Sequence, residues 1–302
     1  MRHLMINDYL KNEFGEKVYR LSINGGMTCP NRDGKLDTRG CIFCSAGGSG
    51  DFATPASMSI TEQIESAKER IQAKAPKCRK FIAYFQAYTN TYGSVEYLRK
   101  IFTEAISHPD VVILSIATRP DCLPSDVLDL LEELNRIKPV WVELGLQSIH
   151  EGSAIWMRRG YELPVYKSAV EALLERKIGV ITHLILGLPG ESNADIYESV
   201  KYVSSLAPCD TSIMFGIKLQ LLHILRGTDL YSYYDENPFH IYTQDEYIDL
   251  VCNCIELLPE NIILHRITGD GPKSLLVEPQ WSGNKKAVLN AMNKALRDRG
   301  LV

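Results

Sequence analysis

The stretch Cys29-Pro30-Asn31-Arg32-Asp33-Gly34-Lys35-Leu36-Asp37-Thr38-Arg39-Gly40-Cys41-Ile42-Phe43-Cys44 decides how the rest of this chain is read. It holds three of the eight cysteines. Cys41 and Cys44 are spaced to grip one inorganic centre, and Asn31-Arg32-Asp33-Gly34 is a turn signal that lets Cys29 fold back to join them. Three thiolates are one short of the four ligands a structural zinc takes. The next cysteine, Cys78, stands alone before a strand, and no histidine lies near. A 4Fe–4S cube held by three cysteines leaves one iron without a protein ligand, open to a small molecule. Structural zinc, or unrelated core thiols, is the plainer alternative.

Outward from this loop, short apolar runs alternate with amphipathic segments, the pattern of βα units around a parallel sheet. The runs predict strands over 18–23, 80–85, 111–117, 140–146, 180–186 and 212–220. Helix starts are marked by Ser59 with Glu62, Ser94, Ser125, Pro164, Ser192 with Asp195, and Thr243 with Glu246. Gly179 marks a helix stop. The glycine-rich end of the first loop, Ala46-Gly47-Gly48-Ser49-Gly50, suits close approach of backbone to a ligand. Six βα units are two short of a closed eight-stranded barrel. The expected fold is therefore α/β, a partial (β/α)6 TIM-like barrel. It spans 1–263 with the cysteine loop at 24–58, and 264–302 form a C-terminal extension packed on it.

The 302 residues, 45% hydrophobic and 23% charged, suit a soluble globular chain. No apolar run nears the ~20 residues of a membrane span, and the first residues do not read as a signal peptide. The cysteines then read as reduced thiols and ligands, and the chain as cytoplasmic with no membrane partner. The net charge of −4 is not the basic footprint of a typical nucleic-acid binder, although a local patch could still contact phosphates.

Ligands of parallel α/β sheets bind at the carboxyl ends of the strands. Cys29, Gln86, Asn90, Thr118, Arg119, Glu143, Gln147 and the turn Gly187 to Glu191 gather there. Singly each has a plain explanation: Glu143 as a satisfied barrel carboxylate, Arg119 as a partner of Asp121. Cys252 and Cys254 are two apart on a helix and point to different faces, so one cluster is expected.

These motifs resemble the radical S-adenosylmethionine (SAM) superfamily. They are the cysteine triplet, Gln86-Ala87-Tyr88-Thr89-Asn90-Thr91-Tyr92, Glu143-Leu144-Gly145-Leu146-Gln147-Ser148 and Gly187-Leu188-Pro189-Gly190-Glu191. Met27-Thr28-Cys29-Pro30-Asn31-Arg32-Asp33-Gly34 is similar to the bacterial YhcC-like or YtqA-like group, related to the Elongator catalytic subunit. Its cysteine spacing, eleven residues then two, departs from the superfamily's usual three then two. The resemblance implies a radical SAM barrel with a 4Fe–4S cluster on Cys29, Cys41 and Cys44, and SAM on the open iron. One electron, from a donor such as flavodoxin or ferredoxin, splits the sulfonium to give a 5′-deoxyadenosyl radical. By the same resemblance Gln86, Ala87 and Tyr88 meet the methionine amino group through backbone. Ser115, Thr118 and Arg119 meet the carboxylate or ribose, Gln147 the ribose, and Leu188 and Pro189 lie by the adenine. Asn90 and Glu143 join this cofactor-binding set.

The resemblance further implies a tRNA substrate: wobble 5-carboxymethylaminomethyluridine, often 2-thiolated, trimmed to 5-aminomethyluridine. The radical takes hydrogen from the methylene between nitrogen and carboxylate. Oxidation to an imine and hydrolysis then release the amine and a two-carbon acid. The anticodon base must be splayed into the barrel. A cation should meet its carboxylate, with Arg119, Arg158, Arg159 and Arg266 as candidates and His265 and Asp270 nearby. Lys285 and Lys286 lead the densest basic set for phosphates, and Tyr88, Tyr92, Tyr161 and Trp281 could stack a base. Two rivals stand beside this: a radical SAM enzyme of a small metabolite, and a non-catalytic zinc-bound RNA module.

Overall fold

The computed structural model describes residues 3–48, 50, 53–269 and 271–302. Its elements run α1 (Ile6–Phe14), β1 (Tyr19–Ile23), α2 (Ile60–Gln72), β2 (Phe81–Phe85), α3 (Val95–Ser107), β3 (Val111–Thr118), α4 (Ser125–Asn135) and β4 (Val140–Gln147). They continue with α5 (Glu151–Trp156), α6 (Leu163–Glu175), β5 (Gly179–Leu186), α7 (Asn193–Ser205), β6 (Phe215–Leu221), β7 (Ile224–Leu225), α8 (Asp229–Glu236) and α9 (Gln244–Glu256). β8 (Ile263–Arg266), β9 (Leu276–Glu278) and α10 (Lys285–Asp298) complete the chain. Strands β1 to β6 and then β8 form one seven-stranded parallel sheet, in that order, curled into a partial barrel.

Alternation along the strands separates two faces. Phe81, Ala83 and Phe85 of β2 pack outward against the helices, while Ile82 and Tyr84 point into the barrel. Inside, Ile82, Ile113, Trp141, Ile181 and Ile263 form an apolar layer that Ile6 and Leu10 of α1 seal. That end of the barrel is thereby filled, leaving the strand carboxyl ends as the place for a ligand. No helix among the described residues is long and apolar enough to cross a membrane.

Three expectations are corrected. The sheet has seven strands, not six: Ile263–Arg266 adds β8 to β6, pairing Gly216 with Ile263 and Ile217 with Leu264. Residues 264–266, assigned from the sequence to the extension, therefore complete the barrel. A four-residue strand after a long insertion carries too little periodicity to be seen. Ser125 is the first residue of α4 and caps nothing with its side chain, Pro124 standing at the N-cap. Gly179 opens β5 rather than stopping α6. A Cβ there would lie 2.6 Å from Trp141 Cδ1, so the glycine serves strand packing. The capping boxes at Ser59, Ser192 and Thr243 are all formed. The tail returns onto the barrel: β9 pairs with β7, and Met292 and Leu296 of α10 join the main core.

Candidate active site

The cysteine loop is folded by its own backbone. The amides of Arg32 and Asp33 donate to the Cys29 carbonyl (2.8 and 3.2 Å), reversing the chain. Leu36 N then reaches Pro30 O (2.8 Å) and Gly40 N reaches Asn31 O (2.6 Å), which returns Cys41 beside Cys29. Cys29, Cys41 and Cys44 consequently line one cavity of about 270 Å3 at the strand ends. The buried Asn31 amide donates to Cys41 Sγ (3.5 Å) and to the carbonyl of Arg158 (2.7 Å). Arg32 braces the other side, donating to the carbonyls of Cys44 (2.9 Å) and Ser45 (2.7 Å). Burial pushes the Cys41 thiol up to about 11, a rise that the Cys44 charge adds to and the Arg119 charge and Asn31 amide oppose.

Below the mouth lies a polar layer to which each of the seven strands gives one side chain: Arg20, Tyr84, Ser115, Glu143, His183, Lys218 and His265. Glu143 is its hub. The carboxylate accepts from Ser115 Oγ (2.9 Å), His183 Nε2 (2.8 Å) and Lys218 Nζ, with Arg20 at 3.9 Å. Burial alone would raise its pKa, but the Lys218 and Arg20 charges and the His183 bond outweigh that and hold it well below the usual range. Burial lowers His183 to about 4, the Lys218 charge adding to it and Glu143 opposing. Burial likewise lowers Lys218 to about 7 against the pull of Glu143, with Arg20 and Arg266 adding to the fall. Arg20 donates to His265 Nδ1 (3.0 Å), and burial with this neighbouring charge keeps the imidazole neutral. Tyr84, Glu143, His183 and Lys218 all face the same cavity as the cysteines.

The structure gathers some of the sequence-derived residues and disperses others. Gln86, Tyr88, Thr118, Glu143, Gln147 and Arg266 line the cavity. Tyr88 (φ 59°) and Gln147 (φ 69°) hold left-handed backbone there, a strained conformation that often marks a working site. Ala87 is buried under the loop, where a Cβ on Gly50 would come 2.4 Å from its Cβ. Ser115 lies a layer deeper, spent on Glu143. Asn90 ties its amide to the carbonyls of Phe85 and Ala117 and holds the turn from within. Leu188 is buried with Ile42, Met157 and Leu222, and neither it nor Pro189 lines the cavity, whose apolar wall includes Phe43, Ile185, Leu221, Leu222 and Leu225.

The arginines are mostly engaged. Arg119 makes a two-pronged pair with Asp121 (2.8 and 2.9 Å), Arg158 binds Asp229 (2.5 Å), and Arg159 donates to the carbonyls of Ser148 and Tyr161. Trp281 packs on Tyr247 and donates to Tyr242 O. Lys285 and Lys286 are exposed on the first turn of α10. Asp270 lies outside the described residues. Sequence reasoning missed Arg20, Tyr84, His183 and Lys218. His183 and Lys218 carried a signal, a titratable residue inside a largely apolar strand, whereas Arg20 and Tyr84 carried none.

Comparison with known proteins fits this arrangement. A profile described as the Radical SAM superfamily matches residues 37–203, and the Radical_SAM C-terminal domain matches 214–298. YtqA of Bacillus subtilis (strain 168) is 45% identical over 99% of this chain and 91% of that protein. The tRNA uridine(34) acetyltransferase of Methanocaldococcus infernus is 27% identical over 69% of this chain and 37% of that protein. The solved structure of the archaeal Methanocaldococcus infernus Elp3 with an N-terminal deletion shares the fold, with TM-score 0.69, 18% identity and coverage of 94% of this chain and 64% of that one. The residues present suit the cofactors this family implies: Cys29, Cys41 and Cys44 line the cavity together, and no fourth cysteine among the described residues does. With a profile covering more than half its length and a relative matched nearly end to end, the chain belongs to the radical SAM superfamily of enzymes, whose members use a 4Fe–4S cluster and S-adenosylmethionine.

Proposed function

We propose that this enzyme modifies the wobble uridine of tRNA, converting 5-carboxymethylaminomethyl(2-thio)uridine to 5-aminomethyl(2-thio)uridine at a single cluster held by Cys29, Cys41 and Cys44. The observation that carries the reading is one cavity with three thiols at its mouth and a charged layer beneath. When bound, the cluster and SAM supply a hydrogen-abstracting adenosyl radical. The chain's own residues do the rest. Asn31 and Arg32 fix the thiol-bearing loop, and Gln147 at the end of β4 lines the cavity beside it. The packed wall of Ile185, Leu221 and Leu222 excludes water from a reactive intermediate. A small redox protein such as flavodoxin or ferredoxin delivers the electron.

The RNA assignment is supported by similarity to a protein named a tRNA uridine(34) acetyltransferase. Arg266 and Lys218 at the cavity suit a substrate carrying a carboxylate. The non-catalytic zinc-bound module is removed by membership in an enzyme family. Mass spectrometry of wobble nucleosides tests the proposal in a host that makes both forms. Cells lacking the protein should accumulate the carboxymethylaminomethyl form and lose most of the aminomethyl form. An unchanged ratio would overturn the tRNA assignment.

A further inference from the structure

The polar layer carries more positive charge than its acid neutralises. Arg20 and Lys218 share it with one carboxylate, Glu143, while both histidines are neutral at pH 7. With Lys218 protonated, the surplus is one positive charge before Arg266, at the rim, is counted. A surplus charge so poorly hydrated is costly, and it is relieved either by loss of the lysine proton or by an anion that meets it.

Lys218 is where that surplus is least well met. Its ammonium has three N–H donors. Among the described residues it finds one acceptor, Glu143 Oε2, with the Tyr84 ring face 5.0 Å from Nζ. The side chain is 1% exposed yet borders the cavity. Arg119, Arg158 and Arg159, by contrast, are already matched to acids or carbonyls. Lys218 also sits mid-strand, one layer below the strand-end residues Thr118 and Gln147. An anion that reaches it belongs to a molecule that extends past the mouth.

We infer that the Lys218 ammonium receives the carboxylate of the substrate, and that Glu143 is a positioning residue that aims it. The identity of that carboxylate, the carboxymethylamino arm of the base, rests on the tRNA reading above. The layer thereby selects the acid-bearing base over its aminomethyl product, which offers Lys218 a second cation and is expelled.

The groups facing Lys218 are Arg20 from β1, Tyr84 from β2, Glu143 from β4, His183 from β5, and His265 and Arg266 from β8. Burial above all, with Arg20 and Arg266, favours loss of its proton and Glu143 opposes it, so the ammonium is lost as pH rises past about 7. A bound carboxylate moves that loss upward without abolishing it. Arginine at the same place keeps its charge throughout.

The test uses the anaerobically reconstituted full-length enzyme. Its probes are two anticodon stem-loops, one with wobble carboxymethylaminomethyluridine and one with the methyl ester of that group. The corresponding free nucleosides and SAM are titrated in parallel. Wild type should bind the acid at least tenfold more tightly than the ester at pH 7, about 1.4 kcal/mol, with the preference shrinking by pH 9. Lys218→Met should lose the preference, and Lys218→Arg should keep it at both pH values, with iron content verifying the fold of each. Equal binding of acid and ester by wild type, or a preference unchanged in Lys218→Met, overturns the inference and leaves the tRNA reading standing. Weakened SAM binding in Lys218→Met with the preference intact assigns the ammonium to the cofactor and also overturns it. A Lys218-dependent preference among nucleosides, with no stem-loop binding, supports the anion site and removes tRNA as substrate.

Discussion

Between pH 6.5 and 4 the His183 imidazole stays neutral in the folded chain, while its unfolded counterpart takes up a proton. The unfolded state then binds more protons, so stability falls as pH drops through that window, by on the order of 3 kcal/mol for this side chain. Glu143 acts in the same sense further down, below 4.5, where the unfolded carboxylate protonates before the folded one. His183→Gln keeps a donor to Glu143 but cannot titrate. Chemical denaturation at pH 7 and pH 5 should show a smaller loss in this variant than in wild type, His265 supplying the remaining slope. An identical loss would mean that His183 is not its source. At this scale the sequence showed Glu143 and Ser115 but not the charged and imidazole partners. His183 and Lys218 each stand alone in a strand, and only the pairing of β4 with β5 and β6 with β5 brings them together.

The cysteine loop keeps its shape through a close contact with the turn after β2. Tyr88 N donates to Gly48 O (2.8 Å), and its hydroxyl reaches Ala46 O (2.6 Å). Gly48 has φ +57°, and a Cβ on it would fall 2.2 Å from the Tyr88 ring. Gly48→Ala should therefore push loop and turn apart and cut iron incorporation on reconstitution to less than half. The denaturation midpoint should change little, because the loop lies outside the main core. Full iron content in this variant would show that the contact is dispensable. Six strands and most helix starts were legible because periodicity and caps are local signals. α1 and β8 were not, because α1 earns its place by filling the barrel end and β8 by pairing on an existing edge.

For the molecule as a whole, a net charge of −4 means that any RNA contact must come from local patches. On α10, Lys294 is paired with Asp298 (2.6 Å) and Arg299 with Asp249 (2.7 Å), while Lys286 stays exposed beside Lys285 at the helix start. Reversing both, Lys285→Glu with Lys286→Glu, should weaken tRNA binding at all sequences and reduce the slope of log affinity against log salt by up to about 2. An unaltered slope would place the phosphate contacts elsewhere. The basic final helix was visible in the sequence, but which of its cations are spent on neighbours was not.

The plug that Ile6 and Leu10 of α1 drive into the barrel has a further consequence for traffic. A vessel stoppered at its base fills and empties through the same opening. A guest lying beneath another at the wide end is covered by it while both are bound, so the order in which they settle there bears on turnover.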